Sequence, residues 1–213
     1  MISTLRASRR PLPALAVLLS LTTALPASAA TLVTYDFEDN TGNFSNTPEA
    51  VAAHLGASSW SDTSGTLTNA KGNPATGFAL SAKSFKDGNS FSMTLTPEAG
   101  FRLSLSGIAF DQLASGTGPK LWTLRLNGLD VAQGSPSASF KSEDIALGVT
   151  AHTGPLVMTL EGAGASSNAG TFRLDNVDIR GDLAPVPVPG AVGLFGSALM
   201  GLFARRRRNN TLE

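Results

Sequence analysis

Ser90-Phe91-Ser92-Met93-Thr94-Leu95-Thr96-Pro97-Glu98-Ala99-Gly100-Phe101-Arg102-Leu103-Ser104-Leu105-Ser106 is two runs of alternating apolar and polar residues around a turn. A period of two puts Phe91, Met93 and Leu95 on one face of an extended chain, and the Ser and Thr residues between them on the other. That is the pattern of a half-buried antiparallel strand, and Phe101, Leu103 and Leu105 repeat it. The turn signal is Thr96-Pro97-Glu98-Ala99-Gly100, where the proline withholds a backbone N–H and the glycine tolerates any turn backbone. The alternation returns at Trp122, Leu124 and Leu126 and at Leu156, Met158 and Leu160, each run bounded by Gly, Pro or Asn. Asn127-Gly128 predicts a tight hairpin joining 120–126 to 129–133, since such turns need positive φ at both central residues. Only Pro48 to Leu55 reads as helical, with Thr47 as its cap and Pro48 and Glu49 in the first turn. Many short strands with one helical turn predict an all-β fold, an antiparallel β-sandwich of jelly-roll type.

Leu32 to Asn40 opens this domain and Thr171 to Gly181 closes it. In the closing run Phe172 and Leu174 are in phase with each other, but Val177 and Ile179 are one residue out of phase with them. The extra residue predicts a β-bulge at Asp175-Asn176. Trp122 shares the parity of Leu124 and Leu126, and Tyr35 that of Phe37, so both read as core. Trp60, in Ser58-Ser59-Trp60-Ser61-Asp62, has small polar neighbours and is the candidate for stacking on a ligand. Burial is the competing reading and the one that large aromatics favour.

The two ends of the chain are addresses. Arg6, Arg9 and Arg10, the apolar stretch Leu12 to Leu25, and Ala27-Ser28-Ala29 form a signal peptide over 1–29. At the other end a proline hinge (184–189) precedes the apolar run 190–204 and a basic tail (205–213) that begins Arg205-Arg206-Arg207-Arg208. A fifteen-residue helix reaches roughly 22 Å against a hydrocarbon core of about 30 Å, so the run spans a membrane only marginally. The arginines stay cytoplasmic and the domain 30–183 lies on the other side.

This tail resembles the PEP-CTERM sorting tails of Gram-negative bacteria, in which a Pro-x-Pro motif, a short transmembrane segment and an arginine cluster end the chain. The motif residues here are Val186, Pro187, Val188, Pro189 and Arg205 to Arg208 (Arg206 and Arg207 between them); Val188 stands where the family usually has glutamate. The resemblance implies an exosortase-like processing enzyme as partner and cleavage near Pro187 to Pro189. It further implies transient residence in the inner membrane and a cell-surface or extracellular destination beside exopolysaccharide or other envelope proteins.

Sixteen basic and sixteen acidic residues cancel over the 213 positions. Seven of the bases lie in the terminal addresses and only Glu213 of the acids does, leaving nine against fifteen, a net charge of minus six for the domain. Nucleic acid and anionic lipid both need clustered cations and are disfavoured as partners. The chain has no cysteine, which excludes thiol catalysis, disulfides and thiolate metal sites. Its two histidines, His54 and His152, have no ligand spacing, and no nucleophile elbow, phosphate loop or zinc-helix motif occurs.

Phe37-Glu38-Asp39 near the start and Phe172-Arg173-Leu174-Asp175-Asn176-Val177-Asp178-Ile179 near the end resemble the terminal strands of jelly-roll carbohydrate-binding modules. Those strands often meet around a structural calcium, which makes Glu38 and Asp175 the implied ligands, completed by carbonyls and water. The alternative is two ordinary strand-end acids tied up by Arg173, Arg180 or backbone N–H groups. The carboxylate pairs Glu143-Asp144 and Asp175-Asp178 invite a comparison with glycosidases. The sequence therefore leads to an exported, non-catalytic envelope or matrix protein that binds polysaccharide, another surface protein or itself. A jelly-roll hydrolase and a permanently membrane-tethered protein are the alternatives.

Overall fold

The computed structural model describes residues 30–39 and 41–187. The signal peptide, Val188 and Pro189, the apolar run and the four arginines lie outside the described residues.

Among the described residues the strands are, in chain order, β1 (Ala30–Tyr35), β2 (Ala50–Val51), β3 (Leu55–Ala57), β4 (Ser61–Asp62), β5 (Thr68–Lys71), β6 (Phe78–Lys83), β7 (Ser90–Pro97), β8 (Phe101–Ala114), β9 (Leu121–Leu126), β10 (Leu129–Gly134), β11 (Lys141–His152), β12 (Leu156–Ala163) and β13 (Thr171–Pro185). They form two antiparallel sheets. The first has the order β11-β8-β13-β1-β2, with β6 also against β13 and β5 beyond it; the second has the order β10-β9-β12-β7-β3, with β4 also against β7. From β6 on the chain changes sheet at almost every connection, the winding of a jelly roll.

The alternating runs become the two inner faces. Phe91, Met93 and Leu95 of β7, Leu124 and Leu126 of β9 and Leu156, Met158 and Leu160 of β12 face Leu103, Leu105, Phe172, Leu174 and Ile179 of the first sheet, all buried. Phe85, from a 3-10 turn after β6, closes one end of this core against Phe91 and Phe172, with ring centroids 5.3 and 5.5 Å away. Asn127 (φ 48°) and Gly128 (φ 82°) make the expected hairpin between β9 and β10.

Pro48 to Leu55 is not a helix. Ala50 and Val51 pair with Thr34 and Val33 as β2, and Leu55 pairs with Pro97 as the start of β3, with His54 between them at φ 64°. A lone helical turn loses to this arrangement because each new turn has to be nucleated, whereas sheet partners are already in place on both sides. Leu55 is the only member of the segment in the core, so no apolar helical face exists to be buried.

The closing strand runs further than the boundary at 183. Ala184 and Pro185 pair with Arg102 and Phe101, and the Val186 N–H donates to the Gly100 carbonyl at 2.7 Å. Proline is tolerated there because, among the described residues, this strand end pairs with β8 alone.

Candidate functional site

The bulge in β13 is where the sequence places it. The pairing of β13 with β8 slips between Asp175 and Asp178, and Asn176 takes a left-handed backbone (φ 47°). The slip keeps Phe172 and Leu174 inward on one side and Val177 and Ile179 inward on the other. It also leaves Asp175 on the outer face, directly opposite Asp111 of β8. Two carboxylates facing each other across an antiparallel pair repel. Both are nonetheless buried, Asp175 at 2% and Asp111 at 7% exposure.

Glu38 arrives from the other end of the chain. After β1, the Asp36 carboxylate accepts the Glu38 N–H at 3.0 Å and turns the backbone, so that Phe37 (φ 60°) fills the core while Glu38 points outward. Over both acids lies the loop 72–77. Its Phe78 flank donates an N–H to Glu38 Oε1 at 3.2 Å, and its Asn73 N–H reaches Asp175 Oδ2 at 2.6 Å. The loop closes on itself through Gly72 N–H to the Gly77 carbonyl at 2.9 Å. A Cβ on Gly72 would sit 2.6 Å from Asp175 Oδ2. Glycine is required there, because the Cβ would also meet the Phe78 backbone, while at Gly77 a Cβ would displace the Glu38 carboxylate.

Asp111 is held by three donors: Asn73 Nδ2 and Asn176 Nδ2, each at 2.9 Å from Oδ2, and the Ser142 hydroxyl on Oδ1. Burial works to raise its pKa, but these bonds outweigh burial and keep it below the usual carboxylate range. Asp175 goes the other way. Desolvation, with the charges of Asp111 and Glu38 added, pushes it up to about 6, although the N–H groups of Asn73 and Asn176 pull it down. Among the described residues no Lys or Arg pairs with any of the three acids. Arg173 reaches instead to the Lys71 carbonyl at 3.3 Å, and Arg180 to Asp144.

Glu38 and Asp175 are thus brought together, with backbone N–H groups on some of their lone pairs. Among the described residues no three of His, Asp and Glu form a ready metal cage. The donors at hand are two carboxylates, Asp175 buried and Glu38 half-buried, hard oxygen ligands with no cationic side chain paired to them among the described residues. That donor set suits a hard divalent cation such as calcium. Asp111 and Asn73 escaped the sequence reading because neither stands in a terminal motif; Asp111 shows only as the one carboxylate on β8, a strand that also carries Arg102 and Gln112.

Trp60 is not a stacking platform. It is 1% exposed, with Tyr35 edge-on at 5.8 Å, and its backbone is clamped by Asn46 on both sides. Its flanking serines mark a short edge strand rather than an open surface. Of the sorting motif, Val186 and Pro187 are described, and both are exposed. The glycosidase-like pairs are separated: Glu143 bonds Lys141 at 2.8 Å and Asp144 bonds Arg180, while the bulge sets Asp178 apart from Asp175. Asp178 lines an open groove of about 220 Å³ with Asp36, Glu49 and Asn176. His54 stacks on Phe101 and pairs with Glu98 at 2.9 Å, and His152 bonds the Pro155 carbonyl at 3.1 Å.

The outer face of the second sheet carries a polar row beside exposed apolar side chains such as Leu121 and Val157. In register across five strands lie Ser61, Ser92, Thr159, Arg125 and Asp130. At about 4.8 Å per strand this row is roughly 19 Å long. Arg125 is fixed in it by ion pairs to Asp130 (2.6 Å) and Glu161.

No protein-family model matches the chain, and no curated protein matches it. Among solved structures, the CBM22-1 xylan-binding domain from Paenibacillus barcinonensis Xyn10C is similar at 13% identity and a TM-score of 0.46, covering 73% of this chain and 97% of that one. A family 11 carbohydrate-binding module from Clostridium thermocellum, in complex with a β-1,3-1,4-mixed-linked tetrasaccharide, gives 15% and 0.39, covering 70% and 96%. A family 61 module in complex with β-1,4-galactotriose gives 14% and 0.37, covering 63% and 90%. At this distance neither the sugars of those proteins nor their binding residues transfer to this chain.

Proposed function

We propose that this chain is an exported, non-catalytic domain of the bacterial cell surface or extracellular matrix, delivered by an exosortase-like processing enzyme, and that it binds exopolysaccharide on the outer face of its second sheet. The observation that carries the reading is the row Ser61-Ser92-Thr159-Arg125-Asp130, a strip of hydroxyl, guanidinium and carboxylate groups with a fixed spacing. Such groups donate to and accept from sugar hydroxyls, and the pinned Arg125 presents a rigid donor fork. With Trp60 in the core there is no aromatic platform on that strip, so recognition rests on hydrogen bonds and on repetition along the polymer. The test is a glycan array with residues 30–187. Binding that Arg125→Ala weakens at least tenfold and Trp60→Phe leaves intact is expected; silence against every polysaccharide would count against the reading.

The same reading places a structural calcium at Glu38 and Asp175. The ion would supply the positive charge that the buried carboxylates lack and so brace the first and last strands against each other. The hydrolase alternative has one observation in its favour, the carboxylate-lined groove of Asp36, Glu49 and Asp178. All three acids have other partners, Asp36 the Glu38 N–H, Asp178 the Arg180 guanidinium at 3.9 Å and Glu49 the Thr34 hydroxyl at 3.5 Å. Reducing-sugar release that Glu49→Gln abolishes would decide for it.

A further inference from the structure

We infer that Asp111 is the positioning residue of the carboxylate site: it fixes the two asparagines that orient Asp175 and thereby sets cation affinity without touching the cation. The inference rests on the cation site proposed above. Asp175 receives two hydrogen bonds, from the Asn73 N–H on Oδ2 and the Asn176 N–H on Oδ1 (2.6 and 2.9 Å). The side-chain amides of those same two residues converge on Asp111 Oδ2. Asn176 Nδ2 also reaches the Asn73 carbonyl at 2.7 Å, which locks the loop to the bulge. Every group that aims the Asp175 carboxylate is therefore tethered to Asp111.

Asp111 is itself unsuited to be a ligand. A carboxylate has about four lone-pair sites, and donors already take three of those of Asp111, the third being Ser142 from the edge strand β11. The left-handed backbone of Asn176 points the same way. A non-glycine residue held there is strained unless its surroundings impose it, and the Asp111 and Asn73 contacts are the ones its side chain makes. Partners of this indirect kind typically change metal affinity by about 10–100-fold when removed.

The test is calcium titration of the full chain by calorimetry, together with melting in chelator and in saturating calcium. Asp111→Asn keeps the shape and an oxygen that accepts from both asparagine amides, with its own Nδ2 toward the Ser142 hydroxyl, but removes the negative charge that strengthens those bonds. It is expected to weaken calcium binding about 10–100-fold at unchanged stoichiometry, whereas Asp175→Asn abolishes binding. Asn73→Ser, which removes one tether and leaves the backbone N–H, is expected to weaken binding in the same direction. It keeps the question open should Asp111→Asn fail to fold. Wild-type calcium affinity in Asp111→Asn and in Asn73→Ser, whatever their stability in chelator, would reduce Asp111 to a structural acid and overturn the inference. Loss of binding in Asp111→Asn as complete as in Asp175→Asn would make Asp111 a ligand and overturn it as well. A wild-type chain that takes up no calcium would bring down the cation site itself, and this inference with it.

Discussion

Asp175 carries the most consequential single ionisation in the domain. Its native pKa of about 6 lies above the ordinary value of about 3.9, so the folded state binds the proton more tightly than the unfolded chain. Without a cation, stability is expected to fall as pH rises from about 4 to about 6 and to level off near 7. The loss is about 3 kcal/mol at 1.36 kcal/mol per unit. Asp62 and Asp111 have the opposite sign: hydrogen bonds lower them, and their contribution is lost only below about pH 4. Urea unfolding in chelator between pH 4 and 7 checks this, and Asp175→Asn should flatten the profile in that window. Trp60 makes a second prediction. Trp60→Ala empties a core site and should cost about 3–5 kcal/mol. Trp60→Phe should cost less, since it also removes an indole N–H that has no partner in the core.

At the scale of elements, β13 organises the molecule. It pairs with β8 along its whole length, with β6 before the bulge and with β1 after it. Two halves of opposite phase need a joint between them, and Asn176 is that joint. Asn176→Gly keeps the left-handed backbone but loses the side-chain bonds to Asn73 and Asp111, whereas Asn176→Ala loses both. The alanine variant is expected to be the less stable by about 1 kcal/mol, read by chemical denaturation. The loop over the acids depends on missing side chains, so Gly72→Ala should lift it and speed hydrogen exchange at the Asn73 amide while the core strands stay protected. The bulge was legible in the sequence because phase is a local property of Phe172 to Ile179. The loop was not, because nothing within Gly72 to Gly77 says which carboxylates it will meet.

For the whole molecule, charge and delivery are linked. Removing the two terminal addresses turns a neutral chain into a domain with nine bases against fifteen acids. The released protein is expected to ignore heparin and DNA and to bind anion exchangers at neutral pH. Mass spectrometry of the native protein should find a mature C-terminus between Val186 and Pro189; a terminus at Glu213 would contradict processing. Because Val186 is still bonded to Gly100, little slack separates the sheet from the proposed cut.

The sequence by itself determined the strands β1, β7 to β10, β12 and β13, the sandwich, the hairpin at Asn127-Gly128 and the bulge at Asp175-Asn176. All of these follow from alternation and turn chemistry acting within a few residues. Tertiary structure alone decided that Pro48 to Leu55 gives up its helical reading for sheet partners and that Trp60 is core. It also decided that Asp111 and Asn73, 38 residues apart, meet around Asp175. These outcomes depend on which strands become neighbours and in what register, and that is settled only when the whole chain buries its apolar face.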